Sequence, residues 1–184
     1  YNVDGEKQWT KLLGTAESDS ASALAIGPDG SIYIAGSTSG DLDGQFNSTD
    51  GGSFISKYNV DGEKQWTKLL NTYNYGDNFR RVYEATALTT GSDGSIYIAG
   101  AASGPVQRLD ALEYTDIFLI KYNPEGIKDW VEISSSQSRG ESSGKFDDSA
   151  SALAIGTDGW IYIAGSTSGD LDGRTNSGKT DAFI

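Results

Sequence analysis

The stretch Gly-Ser-Thr-Ser-Gly-Asp-Leu-Asp-Gly occupies residues 36–44 and returns unchanged at 165–173. Asp41 and Asp43, like Asp170 and Asp172, set two hard oxygen donors one residue apart, a spacing that calcium loops use. Asn47 and Asp50 follow the first pair, and Asn176 and Asp181 follow the second. These eight residues are the candidate metal ligands, with Ca2+ the one candidate cofactor. The pattern departs from a helix–loop–helix calcium loop. Gly44 and Gly173 come too early, and Gln45 and Arg174 stand where a further ligand would be expected. The matching connection at 105–116 keeps none of the early aspartates. The alternative is that Asp and Gly build turns here and bind exposed backbone donors. Both readings stay open at this stage.

A second constellation lies at 71–85, where Tyr73, Tyr75, Phe79, Arg80, Arg81 and Tyr83 cluster. Aromatic rings beside Arg are effective anchors for a protein or a glycan. Exposure around one concavity would mark a binding surface, whereas burial would make the rings packing for a long insertion. Catalysis finds less support. The chain has no His and no Cys, so the commonest general base and the thiolate nucleophile are both missing. Paired carboxylates could serve a glycosidase or a lyase, and Asp41/Asp43 and Asp170/Asp172 are the candidates. No pattern marks either pair as buried, and the expectation is a protein that is not an enzyme.

The elements that must position these groups follow from composition and repetition. The chain has 184 residues, 24 of them Gly, which suits many short strands joined by turns. Its net charge of −12 argues against a nucleic-acid partner, whose phosphates call for Lys and Arg. No apolar run is long enough to span a membrane. No Met and no signal-like leader occur, so a mature form, a fragment or part of something longer is expected.

Tyr-Asn-Val-Asp-Gly-Glu-Lys-Gln-Trp-Thr-Lys-Leu-Leu at 1–13 is repeated without change at 58–70, with a looser copy at 122–133. Residues 31–40, 95–104 and 160–169 form a second matching set. The period is on the order of 60 residues, enough for one supersecondary unit per repeat. The first unit predicts strands at 21–27, 31–38, 53–59 and 63–70. Asp-Gly pairs at 29–30, 61–62, 93–94 and 158–159 mark tight hairpins, and Glu125-Gly126 takes the same place. The strands lack a clean polar face, so both faces need cover. Small residues in the first strand, namely Ala23, Ala25, Ala87, Ala152 and Ala154, suit the crowded axis of a β-propeller. Stacked blades would then bury Ile32, Ile34, Phe54, Trp66 and their equivalents.

The segments DGSIYIAGSTSG, Phe-Ile-x-Lys-Tyr-Asn at 54–59 and DGEKQWTKLL resemble the bacterial β-propeller repeat family called SBBP. That family occurs in large secreted and surface proteins, mostly without known activities. The pairs Gly5/Trp9, Gly62/Trp66 and Gly126/Trp130 are similar to the docking motif of quinoprotein propellers, which implies indoles packed between blades. The expected fold is all-β, a propeller of four-stranded antiparallel blades with about three blades in the chain. Residues 1–184 form one propeller segment. An outer strand and connection take 1–20, and repeats follow at 21–84, 85–149 and 150–184, the last without its outer strand.

Closed propellers have four to eight blades. The ring is completed by other blades of a longer polypeptide or by a second copy, or it stays an open arc. The expected function is a non-enzymatic extracellular or cell-surface module for protein or carbohydrate binding or for structural spacing. A calcium-stabilised array and a propeller enzyme using loop carboxylates are the alternatives.

Overall fold

The computed structural model describes residues 1–45, 51–70, 82–103, 114–136 and 146–184. Strands β1 (Asp19–Ile26), β2 (Ile32–Thr38), β3 (Gly52–Tyr58) and β4 (Lys64–Leu70) form one antiparallel sheet in chain order. β5 (Val82–Thr90), β6 (Ile96–Ser103), β7 (Thr115–Tyr122) and β8 (Lys128–Ser134) form the second. β9 (Asp148–Ile155), β10 (Ile161–Thr167) and β11 (Asp181–Phe183) form a three-stranded third. The fold is all-β, a run of propeller blades without a closed ring among the described residues.

Hairpins fall where the Asp-Gly pairs predict them. Gly30, Gly62, Gly94, Gly126 and Gly159 all have φ between 73° and 83°, a region open to Gly at little cost. The aspartate of the inner hairpin locks the turn. Asp29 accepts the Ser31 N–H at 2.9 Å and its hydroxyl at 2.8 Å, and Asp93 holds Ser95 in the same way. In the third blade Trp160 replaces that serine, and Asp158 takes the Tyr162 hydroxyl at 2.7 Å instead.

Each inner strand carries a β-bulge, placed at Ser22, Thr86 and Ser151. Opposite the bulge stand Gly36, Gly100 and Gly165. A Cβ on them would lie 1.9, 1.9 and 2.0 Å from the carbonyl oxygens of Ser20, Glu84 and Ser149. Backbone cannot yield there, so a side chain is excluded.

Blades stack bulky face on small face. Alternation along the strands puts Leu88, Ile96, Ile98, Phe118 and Ile120 of the second blade on one side. They pack with Ala23, Ala25, Tyr33, Ala35 and Ile55 of the first blade in one cluster. The small side of the second blade, with Ala87, Ala99 and Ile117, receives Leu153, Ile163 and Phe183 of the third. Small residues in the inner strand let neighbouring backbones approach, as the Ala-rich pattern predicts.

Close approach permits hydrogen bonds between blades. The Ser22 hydroxyl donates to the Ala85 carbonyl, and the Thr86 hydroxyl donates to the Ala150 carbonyl at 2.6 Å. Ser53 adds a second tie, donating to the Tyr83 carbonyl at 2.7 Å and accepting the Ala85 N–H at 2.9 Å. At the rim, the Trp66 indole lies over Gly126, where a Cβ would come within 3.0 Å of the ring.

Residues 1–18 precede the three sheets, and the segment 7–13, read as an outer strand without its own blade, has the sequence of β4 and pairs with no sheet among the described residues. The identical segment becomes β4 because β3 lies beside it, and extended chain without a neighbouring edge leaves its backbone groups to water. Trp9 is nonetheless placed as Trp66 is, over the glycine of the next outer turn, Gly62.

Candidate functional site

The acidic loops fold as turns. In the third blade, Leu171 and Arg174 exchange backbone hydrogen bonds at 3.1 and 2.8 Å, and Asp172 and Gly173 between them have φ of 48° and 74°. Two positive φ values in a two-residue connection are the signature of a type I′ turn, which favours Asp-Gly. Asp43 and Gly44 repeat it with φ of 53° and 71°. Leu42, between the two aspartates, is buried and anchors the first loop.

The carboxylates are engaged one at a time. Asp43 pairs with Lys64. Burial pushes the Asp43 carboxyl up, but hydrogen bonds from Lys64 and Thr67 outweigh this and leave it below the ordinary range. Asp170 accepts the Asn176 N–H at 2.8 Å, and Asn176 in turn donates to the Thr167 carbonyl at 3.1 Å. Asp181 accepts the Ser177 N–H at 2.7 Å and its hydroxyl at 2.9 Å. Among the described residues no three acidic groups converge as a cation would need. Asn47 and Asp50 lie outside the described residues, as do Tyr73, Tyr75, Phe79, Arg80 and Arg81. Tyr83 is placed away from the surface role expected of it. It is 5% exposed and packs edge-on against Phe118 at 4.9 Å, because β5 turns that position into the blade interface.

A concave feature lies beside the third loop, and Asp172, Asn176 and Asp181 help to line it. The third sheet ends at β11, whose outer edge has no strand beside it among the described residues. A cleft of about 500 Å³ runs along this edge, lined by Ile117, Ser134, Ile163, Leu171, Arg174 and Phe183 among others. The first blade shows what such an edge accepts. There β4 pairs with β3 in the register Ser53↔Leu70, Phe54↔Leu69 and Ile55↔Lys68. The loop grips the same strand through Gln45, which donates to the Thr67 carbonyl at 2.8 Å and accepts the Leu69 N–H at 3.3 Å. Arg174 holds the place of Gln45 and lines the cleft.

Sequence reasoning passed over Gln45 and Arg174 because they interrupt a ligand pattern; their shared offset from Asp-Leu-Asp-Gly was the available signal. It also passed over Asp19 and Asp148, which begin the repeated segment DSASALAI. Asp19 accepts the Thr15 N–H at 2.6 Å and Asp148 the Ser136 N–H at 2.7 Å, so each ties the incoming connection to its inner strand. Hydrogen bonds from Thr38 and Thr15 hold the Asp19 carboxyl below its usual value.

Comparison with known proteins agrees with this architecture. The chain is 28% identical over 190 residues to the regulatory protein FlaEY of Caulobacter vibrioides, an alignment covering 94% of this chain and 18% of that protein. It thus spans less than a fifth of the length of that relative. No helix is long and apolar enough to cross a membrane among the described residues. The family model described as a β-propeller repeat, SBBP, matches residues 8–43, the stretch running from Gln8 through β1 and β2 into the first acidic turn, and this segment is similar to an SBBP β-propeller repeat, its β1 and β2 having counterparts in the two blades that follow.

Proposed function

We propose that the chain is a non-enzymatic propeller-repeat module acting outside the cell, whose β11 edge accepts an extended strand, from other blades of the same protein, from a second copy or from a protein ligand. The observation that carries this reading is the open β11 edge beside its cleft, set against the same edge in the first blade filled by β4. An exposed edge offers a row of backbone donors and acceptors, and pockets for alternate side chains add selectivity. Asp43, Asp170 and Asp181 each hold a local hydrogen bond or ion pair, and no His or Cys is present, which favours binding over catalysis. The likeness to repeats of secreted and surface proteins supports the location. The relative's description as a regulatory protein suits a binding role.

Titrating the chain with a synthetic peptide of the β4 hairpin sequence, residues 58–70, tests the reading by calorimetry. Saturable binding is expected, weakened strongly by Phe183→Asp and absent for a scrambled peptide. Equal binding of the scrambled peptide, or none of either, would overturn it.

A further inference from the structure

The outer edge of β4 is already occupied, and by a side chain. Gln45 donates to the Thr67 carbonyl at 2.8 Å and accepts the Leu69 N–H at 3.3 Å. A carbonyl and an N–H two residues apart are the groups that one residue of an added parallel strand would take. A glutamine amide carries both donor and acceptor, so at this edge it copies a peptide unit.

The turn before Gln45 holds it there. Leu42 is 1% exposed and roots the turn in the blade. Asp43 and Gly44, at φ of 53° and 71°, make the reversal, and the Gln45 N–H closes it on the Leu42 carbonyl at 3.0 Å. The Asp43 carboxylate pairs with Lys64, the first residue of β4. Residues 42–45 therefore engage this strand at Lys64, Thr67 and Leu69.

The second blade shows the same edge without that cover. Val131 and Ile133 pair with Ile120 and Phe118 as Thr67 and Leu69 pair with Ser56 and Phe54. Among the described residues no strand and no side chain bonds the outer edge of β8. The connection 105–116 also lacks the Asp-Leu-Asp-Gly sequence. Bare strand edges invite pairing with other chains, and covering one with a loop prevents it.

We propose that residues 42–45 are an autoinhibitory strap, which occupies the outer edge of β4 in place of an extended acidic segment and yields the edge to that segment when released. The chemistry of the excluded segment follows from that of its substitute. Lys64 already holds a carboxylate, and Lys68 is exposed on the same strand, so carboxylates along an added strand find ammonium partners. The inference goes beyond the strand-acceptor reading of β11 and stands without it, since every residue it uses lies within 42–70.

Hydrogen exchange followed by NMR on the whole chain reads the strap. The Leu69 amide should exchange at least tenfold more slowly than the Ile133 amide. Gln45→Arg keeps a donor for Thr67 but has no acceptor, so it should release the Leu69 amide while the Lys68 amide, turned toward β3, stays protected. Binding reads the inhibition, in a Phe183→Asp background that removes the β11 edge from the measurement. There, Asp43→Ala with Gln45→Ala should bind a synthetic peptide of alternating Val and Glu at least tenfold more tightly than the parent. Lys68→Glu should abolish that gain. Equal exchange at Leu69 and Ile133 would overturn the proposal. So would a double variant with unchanged circular dichroism and no gain in affinity, since the turn would then only brace its blade. An equal gain for a peptide of alternating Val and Lys would overturn the acidic partner. Each of these failures leaves peptide binding at β11 in the parent chain untouched.

Discussion

The first and third blades share DSASALAI in their inner strands and IYIAGST in the next, yet the same residues meet different surroundings. Tyr33 is 2% exposed, lying 6.1 Å from the Trp66 ring with the Lys57 ammonium 5.4 Å from its centre. Its counterpart Tyr162 is 45% exposed and turns its hydroxyl to Asp158. Strand pairing, bulge and hairpin are alike in the two blades, so contacts within a blade follow from local sequence. Contacts between blades depend on what stands next to it. The second blade, covered on both sides, has both.

The comparison is sharpened by substitutions that separate the two kinds of contact. The largest difference is expected at the bulky face. Ile98→Ala, in a fully buried site, should cost about 2–5 kcal/mol. Ile163→Ala, at the half-buried equivalent, should cost less than half as much by urea denaturation. The glycines opposite the bulge should show no such asymmetry. Gly100→Ala and Gly165→Ala each meet a carbonyl of their own blade, and both should lose about 3 kcal/mol. Unequal losses would show that the bulge depends on the neighbouring blade.

The interblade hydroxyl gives a smaller effect. Thr86→Val should cost about 1 kcal/mol by leaving the Ala150 carbonyl without its side-chain donor, and Ser151→Ala close to nothing.

Acid provides a test of the hairpin locks. Hydrogen bonds from Ser31 and Ser95 hold the Asp29 and Asp93 carboxyls below their ordinary value, so the unfolded chain binds protons more readily than the folded one. Their contribution is complete above the unfolded value near pH 4 and disappears as pH falls through the folded one. Asp29→Asn and Asp93→Asn should therefore flatten the loss of stability below about pH 4. The screening of exposed groups keeps the change small. Smallest of all is the expected response to calcium. With Asp43, Asp170 and Asp181 already engaged by protein partners, replacing EDTA by calcium should leave the melting midpoint where it was, and an upward shift would restore the aspartates as ligands.

Much of the fold was legible beforehand because β-hairpins are written locally. Asp-Gly supplies the positive φ, alternation supplies the faces, and the repeated segments give like hairpins β1–β2, β5–β6 and β9–β10. The aspartates of Asp-Leu-Asp-Gly illustrate the limit of such reading. Their spacing suits either a cation or a type I′ turn, and the choice lies in backbone angles that no residue count contains.

Residues 1–13 and 58–70 make the division plain. One sequence appears twice, and it is a strand only where β3 presents an edge. By itself the chain determined its strands, its turns and the small inner faces that let blades approach. Tertiary structure alone decided which faces are covered, since burial and interblade hydrogen bonds belong to pairs of surfaces and a residue cannot encode the neighbour it meets.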